Sequence, residues 1–233
     1  MAKSFSVIIP VFNEASLINQ TIEHVYSTSS GFDIEVIVVD GDVHGNTVRA
    51  ITNMQVIQMT SDRGRGRQMN KGASAAGGEI LLFLHADTEL PANAFESISS
   101  LLDAEEYVGG AFDLGIQSGR LIYRVIEKFV AVRTRLTKVP YGDQAIFVKK
   151  DYFEKMKGFP EIPIMEDVAF MRRLKRAGYK IGIIPQKVLT SPRRWEREGV
   201  LFCTLRNWTL ISLYLLGVKP EKLERFYDRD RDG

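Results

Sequence analysis

Hydrophobic and polar positions divide this chain into short apolar runs separated by stretches of helical period. The run 80–84 (Ile-Leu-Leu-Phe-Leu) has no polar position. A run that short, bulky on both faces, predicts a strand covered above and below by helices, as in a parallel sheet. The segments 5–10 (Phe-Ser-Val-Ile-Ile-Pro) and 35–39 (Glu-Val-Ile-Val-Val) read the same way, the first stopped by its proline. A third, shorter strand is expected over 55–59. Leu17, Ile18, Ile22 and Val25 recur on one helical face, with Asn13 as the expected cap and Glu14, Ala15 and Ser16 in the first turn. The small-residue stretch 68–76 predicts a helix ended by Gly77-Gly78. Strands alternating with helices predict an α/β protein with a mostly parallel central sheet flanked by helices.

The second half continues with helices expected over 91–102, 121–132 and from Ile164 to about Ala177. Strands are expected over 108–114, 145–148 and 180–184, and Asp151 is expected to cap a short helix ending near Gly158. Residues 200–216 are strongly apolar apart from Arg206 and Asn207. They predict a core helix, with binding at a membrane interface as the alternative. No repeat, low-complexity tract or linker interrupts the pattern, so a single domain over 1–233 is expected.

Composition adds exclusions. The 233 residues are 45% hydrophobic and 26% charged, normal for a globular protein rather than a disordered one. A net charge of +2 gives no reason to expect a nucleic-acid partner. A single cysteine, Cys203, excludes an internal disulfide framework and a Cys-based zinc site. Met1 to Phe5 carries no signal-peptide pattern, and no apolar run reaches the roughly 18 residues of a spanning helix. A cytoplasmic protein is expected.

The candidate chemistry lies at strand ends, where ligands of open α/β sheets bind. The strand 80–84 runs into His85-Ala86-Asp87. Side chains at i and i+2 of an extended segment point the same way, so His85 and Asp87 could share one cation; the alternative is a polar turn without a ligand. The segment 10–14 and Asp40 end two other strands on the same rim, and an acid at Asp40 suits ribose hydroxyls. Arg63, Arg65 and Arg67, spaced by glycines before a helix, suit phosphate, or form a solvated loop. This loop is neither a dinucleotide fingerprint, since Met69 stands where glycine is needed, nor a P-loop, since Lys71 precedes Gly72.

Further on, Gly109 and Gly110 mark a strand approached closely by backbone or ligand. The helix from Leu121 carries Arg120, Arg124, Lys128, Arg133 and Arg135 around it. That is either a solvated face over a core stripe or a contact for an anionic acceptor or a membrane surface. Glu166 and Asp167 sit in a helix's first turn, where the macrodipole alone would favour carboxylates. Arg193 and Arg194 stand beside Trp195, either clamping a diphosphate or covering the sheet edge.

In this order the motifs resemble glycosyltransferase family 2, enzymes of the GT-A fold that use nucleotide-diphospho-sugars. Ser6-Val7-Ile8-Ile9-Pro10-Val11-Phe12-Asn13-Glu14 is similar to the family's opening strand and Asn-Glu turn. Val38-Val39-Asp40-Gly41 resembles the strand whose Asp contacts the nucleoside. Leu84-His85-Ala86-Asp87 occupies the place of the Asp-x-Asp metal motif, Glu166-Asp167 that of the pair supplying the base, and Arg193-Arg194-Trp195 is similar to an Arg-Trp element of some members. The forms His-Ala-Asp, Tyr-Gly-Asp-Gln and Ser-Pro-Arg-Arg-Trp look like those of a small bacterial branch.

The resemblance implies a GT-A domain with a nucleotide-sugar-binding half over about 1–100 and an acceptor-binding half over about 101–233. Pro10, Val11, Phe12, Glu14, Asp40, Gly41, Arg65, Arg67, Ala86, Arg193 and Arg194 are then the candidates for the nucleotide-sugar. Asp87 and His85 are the candidates for Mn²⁺ or Mg²⁺, and Asp167 with Glu166 for the base of an inverting transfer. Gly110, Tyr141, Asp143, Gln144 and Trp195 are the acceptor-side candidates. A polyprenyl-phosphate acceptor at the inner face of the membrane would account for the cationic and apolar surfaces together. Two departures stand out. Val43 and Gly45 replace polar residues of the family's Asp-Gly-Ser-x-Asp-x-Thr turn, and His85 replaces the first Asp of the metal motif. The alternatives are a nucleotidyltransferase, against which Val11-Phe12-Asn13-Glu14 replaces the glycine-rich loop expected after the first strand, and a non-catalytic nucleotide-sugar-binding protein.

Overall fold

A computed structural model of the chain describes residues 3–227. The expected lead-in at 1–2 and the last expected domain residues, 228–233, lie outside the described residues. One eight-stranded sheet draws on both halves of the chain, in the order β3-β2-β1-β4-β7-β6-β8-β5. Its strands are β1 (Ser4–Val11), β2 (Asp33–Asp40), β3 (Ile57–Thr60), β4 (Ile80–Phe83), β5 (Thr88–Glu89), β6 (Tyr107–Ile116), β7 (Phe147–Lys149) and β8 (Lys180–Thr190). The helices are α1 (Ile18–Thr28), α2 (Arg65–Ala75), α3 (Ala94–Asp103), α4 (Leu121–Thr137), α5 (Lys150–Lys155), α6 (Glu166–Arg176), α7 (Arg193–Glu198), α8 (Val200–Leu215) and α9 (Pro220–Tyr227).

The apolar runs are strands buried on both faces, and the period of two sorts their side chains. Phe5, Val7, Ile9 and Val11 of β1, Val36 and Val38 of β2, and Ile80 and Leu82 of β4 enter a core shared with α1 and α3. Ile8, Ile37, Val39, Leu81 and Phe83 enter the opposite core, under α2, α5 and α6.

β1 pairs in parallel with both β2 and β4, and β2 with β3. β7 runs the other way between β4 and β6. This reversal brings the chain just before β7 to the rim where β1, β2 and β4 end, as the bond from Phe83 N–H to the Ile146 carbonyl, 2.8 Å, shows. β8 is longer than expected because it bulges past Phe112–Asp113 and continues beside β6 to Thr190. The short strand β5 pairs with that extension.

Several local expectations are corrected. Pro10 does not end β1, which pairs with β2 as far as Val11. The β1–β4 ladder closes instead, at Ile8↔Phe83 and a last bond from Leu84 N–H to the Ile8 carbonyl; beyond it Pro10 has no N–H to donate. Asn13 does not cap α1. It lies in the left-handed region at φ 57°, and the helix starts four residues later than a cap at Asn13 requires, with Leu17 before it. Asp151 does not cap α5 either; it lies in the first turn, after Lys149. Residues 200–216 are not a core helix: α8 buries only Cys203 and Leu210.

Candidate active site

The rim is built from backbone outward. Gly41 N–H donates to the Val11 carbonyl at 2.8 Å, joining the ends of β1 and β2. Gln68 of α2 reaches between them, its Nε2 donating to the Val11 and Val39 carbonyls at 2.7 and 2.8 Å. Gln68 did not stand out in the sequence, since its type carries no chemistry until the helix sets it over two strand ends. Asp40 is fully buried. Its Oδ1 accepts from Asp42 N–H at 2.9 Å, and its Oδ2 from Thr47 and Val48 N–H at 2.8 and 3.3 Å. Asp40, expected to meet the ribose, is thus held by the amides of its own turn at the end of β2. The carboxylate staples the turn 40–48, leaving backbone and Phe12 at the surface. Phe12 is exposed and lies under the Arg63 guanidinium at 4.3 Å. That stacking, not a free loop, is where Arg63 sits.

Beyond β4 the chain turns at once: Thr88 N–H donates to the His85 carbonyl at 3.1 Å. His85 and Asp87 are therefore on a tight turn, and the alternation of an extended strand does not apply to them. Ala86 is buried, its carbonyl accepting from the Thr21 hydroxyl. Asp87 is pinned from both sides. Its carbonyl accepts from Ser191 N–H at 3.0 Å, and its carboxylate lies 3.4 Å from Arg193 Nε. The same guanidinium forks onto both oxygens of Glu14. Arg193 thus ties the end of β1 to the His85–Asp87 turn.

Asp167 and Glu166, adjacent in sequence, go different ways. Asp167 Oδ2 accepts from Gly142 N–H at 2.5 Å, and its Oδ1 from Val168 N–H at 2.7 Å. A Cβ on Gly142 would lie 3.1 Å from Asp167 Oδ2 and 3.1 Å from His85 Nε2. So the catalytic candidate from the second half and the metal candidate from the first flank one glycine. Glu166 is buried, its Oε1 2.8 Å from Arg65 Nε and its Oε2 without a partner. Glu166, expected beside the base, holds Arg65 at the start of α2 through its carboxylate. Arg65, expected on a flexible phosphate loop, stands instead in the first turn of α2 in that pair.

Electrostatics follow from this crowding. Burial, and then the Arg65 charge, lower the His85 pKa from its ordinary value against the pull of Asp87 and Asp167; the imidazole is neutral at neutral pH. Burial raises Glu166 above the ordinary carboxylate range, opposed by Arg65. Burial also pushes Asp143 up to about 6, against Arg133. Asp143 is partly exposed as a residue, yet its Oδ1 is buried without a partner.

A neutral imidazole next to a partly exposed carboxylate is a donor pair that suits a divalent cation. Among the described residues, no group of three His, Cys, Asp or Glu side chains could hold a metal by itself. The pair fits a cation that brings further oxygens with its ligand, as Mg²⁺ does when it binds through one or two carboxylates plus phosphates and water.

The sequence profile of Glycosyl transferase family 2 matches residues 6–176, a span that contains every group just described except Arg193 and Ser191. The chain belongs to this family. It is 24% identical over 184 residues to a dolichol-phosphate mannosyltransferase of Pyrococcus furiosus, covering 76% of this chain and 50% of that protein. It is 26% identical over 203 residues to the glycosyltransferase AglE of Haloferax volcanii, covering 81% and 67%. The chain thus spans half the length of the first of these relatives. Its fold is that of GT-A glycosyltransferases. The mannosyltransferase PcManGT of Pyrobaculum calidifontis, solved with GDP-Man and Mn²⁺, superposes with a TM-score of 0.63 at 22% identity, over 82% of this chain and 57% of that one. TarS 1–349 of S. aureus, solved with UDP-GlcNAc, covers 82% of this chain and 58% of that one at 18% identity and a TM-score of 0.57.

The remaining family candidates divide. Pro10, Val11 and Gly41 line the rim through backbone. Arg67 sits apart, 3.3 Å from Glu161, in an open concavity of about 740 Å³ that it shares with Thr60, Asp62 and Lys71. Arg194, expected on the diphosphate, packs on Tyr227 and pairs with Glu198. Trp195 packs edge-on against Tyr123 at 6.0 Å, in a satellite core with Ile116 and Val200. Gly110 is enclosed, since a Cβ there would lie 2.4 Å from the Gly182 carbonyl oxygen. Gln144 is buried, its Oε1 accepting from Arg133, Thr134 and Tyr141 and its Nε2 donating to the Phe112 carbonyl. Neither Gly110 nor Gln144 is open to an acceptor. Tyr141 stays at the rim, under Arg133 at 3.3 Å. Arg133, seen in the sequence only as one of several helix cations, holds this corner together.

Proposed function

We propose that the protein transfers a glycosyl group from a nucleotide-diphospho-sugar to an acceptor hydroxyl, with inversion at the anomeric carbon and with a divalent cation, Mn²⁺ or Mg²⁺. The observation that carries this reading is the meeting of His85 and Asp167 across Gly142, with Asp87 one turn residue away from the histidine.

The nucleoside end of the donor lies along backbone of the joined β1 and β2 ends and against Phe12. Its diphosphate faces the His85–Asp87 turn, where Arg193 stands ready to exchange Glu14 or Asp87 for a phosphate oxygen. A cation held by His85, Asp87 and diphosphate oxygens would supply Lewis-acid neutralisation of the leaving group. Asp167 is oriented by the Gly142 and Val168 amides, and each of its oxygens keeps a lone pair for a proton. The acceptor oxygen attacks the anomeric carbon and gives its proton to Asp167. The bond from that carbon to the diphosphate breaks, and its electron pair leaves on the phosphate oxygen. One displacement inverts the centre. The rim between Tyr141, Asp143 and α4 is where the acceptor enters, and a lipid-linked phosphate acceptor suits its cations.

Asp167→Asn tests the base. The variant should bind nucleoside diphosphate as the native protein does and lose turnover by about 10²–10⁴-fold, measured as nucleotide release with a matched donor and acceptor. Unchanged turnover would remove Asp167 from this role.

A further inference from the structure

Two helices leave large apolar side chains in solvent. On α4, Leu121, Val125, Phe129, Val132 and Leu136 are exposed. At about 100° per residue they fall within an arc of roughly 80°, away from Tyr123, Ile126 and Thr134, which face the body of the protein. On α8, Leu201, Phe202, Leu205, Trp208 and Leu215 are exposed. The Phe129 and Trp208 rings meet at 5.2 Å between centroids, so the two stripes form one surface. A contiguous apolar face on this scale marks an interaction site.

Charge says what it meets. Lys128 is exposed beside the α4 stripe, and Arg120 and Lys138 are exposed at the two ends of the helix. The single acid of α4, Glu127, is buried and paired with Arg124 and Lys187. From Val200 to Leu215, α8 has no Asp or Glu. Aromatic and leucine side chains bordered by cations, with no exposed acid on either helix, match the boundary between headgroups and acyl chains of an anionic bilayer. Among the described residues no helix is long and apolar enough to cross a membrane, so contact is made from one side.

We propose that the α4–α8 face docks the protein on the surface of an anionic lipid bilayer, its apolar stripes at the acyl boundary and Arg120, Lys128 and Lys138 among the headgroups. Docking stands apart from the catalytic reading, since it needs no donor. It would nonetheless bring a membrane to the element that holds Tyr141 and Gln144 through Arg133 and Thr134.

The test is flotation of the protein with vesicles of phosphatidylcholine alone and of phosphatidylcholine mixed with phosphatidylglycerol, without nucleotide. The native protein should float with the mixed vesicles, about tenfold more than with the neutral ones, and less as salt screens the cations. The Phe129→Ser/Trp208→Ser double variant should lose about tenfold of that binding and Lys128→Glu several-fold, both melting with the native protein by circular dichroism. Absence of binding to the mixed vesicles at low salt would overturn the proposal, as would native-like binding by the double variant. So would a lipid-free dimer in sedimentation velocity that the double variant dissolves, which assigns the face to a second copy of the chain.

Discussion

Asp143 and Asp40 show what a carboxylate becomes once its neighbours are fixed. Asp40 ends β2 and Asp143 sits in the turn before β7, and the sequence supports a ligand-binding reading for each. Asp40 is consumed by three backbone amides of its own turn, which depends on turn conformation and is invisible in residue type. Asp143 has the opposite fate, with a buried oxygen that nothing satisfies and a pKa raised to about 6. An acid raised in the fold holds its proton more tightly there than in the unfolded chain. The fold benefits while Asp143 is protonated, and that benefit is lost as pH rises from the ordinary carboxylate range through about 6. Asp143→Asn, which keeps the neutral shape, should therefore raise the melting temperature clearly at about pH 8 and little at about pH 4. Equal shifts at the two pH values, read by scanning calorimetry, would contradict the burial of its charge.

At the scale of elements, the strands were legible because period two and unbroken apolar runs report burial directly. The doubly buried β1, β2 and β4 were expected within three residues at each end. What the sequence could not give was direction and neighbour. Nothing in Phe147-Val148-Lys149 says that β7 runs against β4, yet that reversal delivers Gly142 to the rim. The apolar helix α8 failed for a related reason: an apolar composition does not state which face is covered, and here most of it is not. Gly110 was seen as a place of close approach, correctly in geometry, but the approaching group is the sheet itself. Gly110→Ala should cost about 3 kcal/mol, at the upper end for overpacking, because the new methyl would meet the Gly182 carbonyl and the Phe147 ring at 2.4 and 2.7 Å. Urea denaturation measures it, and a loss below about 1 kcal/mol would mean that β6 shifts to make room.

At the scale of the molecule, the sheet does one thing for the site. It sets the ends of β1, β2 and β4 and the approach to β7 on one rim, so that residues 85, 142 and 167, distant in the chain, become neighbours. The ordered motifs made that convergence an expectation, since each sat at a strand end or helix start. The couplings that hold it, Gln68 across two strands, Arg65 with Glu166 and Arg133 over Tyr141, were not legible: the first two join common residue types across long separations, and the third depends on how the chain turns after α4.

On the proposed reading, this rim binds a nucleoside diphosphate through a cation at His85 and Asp87, with Asp167 on the acceptor side of it. Calorimetric titration of UDP and GDP, with and without Mn²⁺, into the native protein, Asp87→Asn and Asp167→Asn tests it most directly. At least one nucleotide should bind more tightly with Mn²⁺ in the native protein and in Asp167→Asn, and that strengthening should fall by at least about tenfold, 1.4 kcal/mol, in Asp87→Asn. Binding indifferent to Mn²⁺, or an Asp87→Asn variant that responds to it as the native protein does, would contradict the claim.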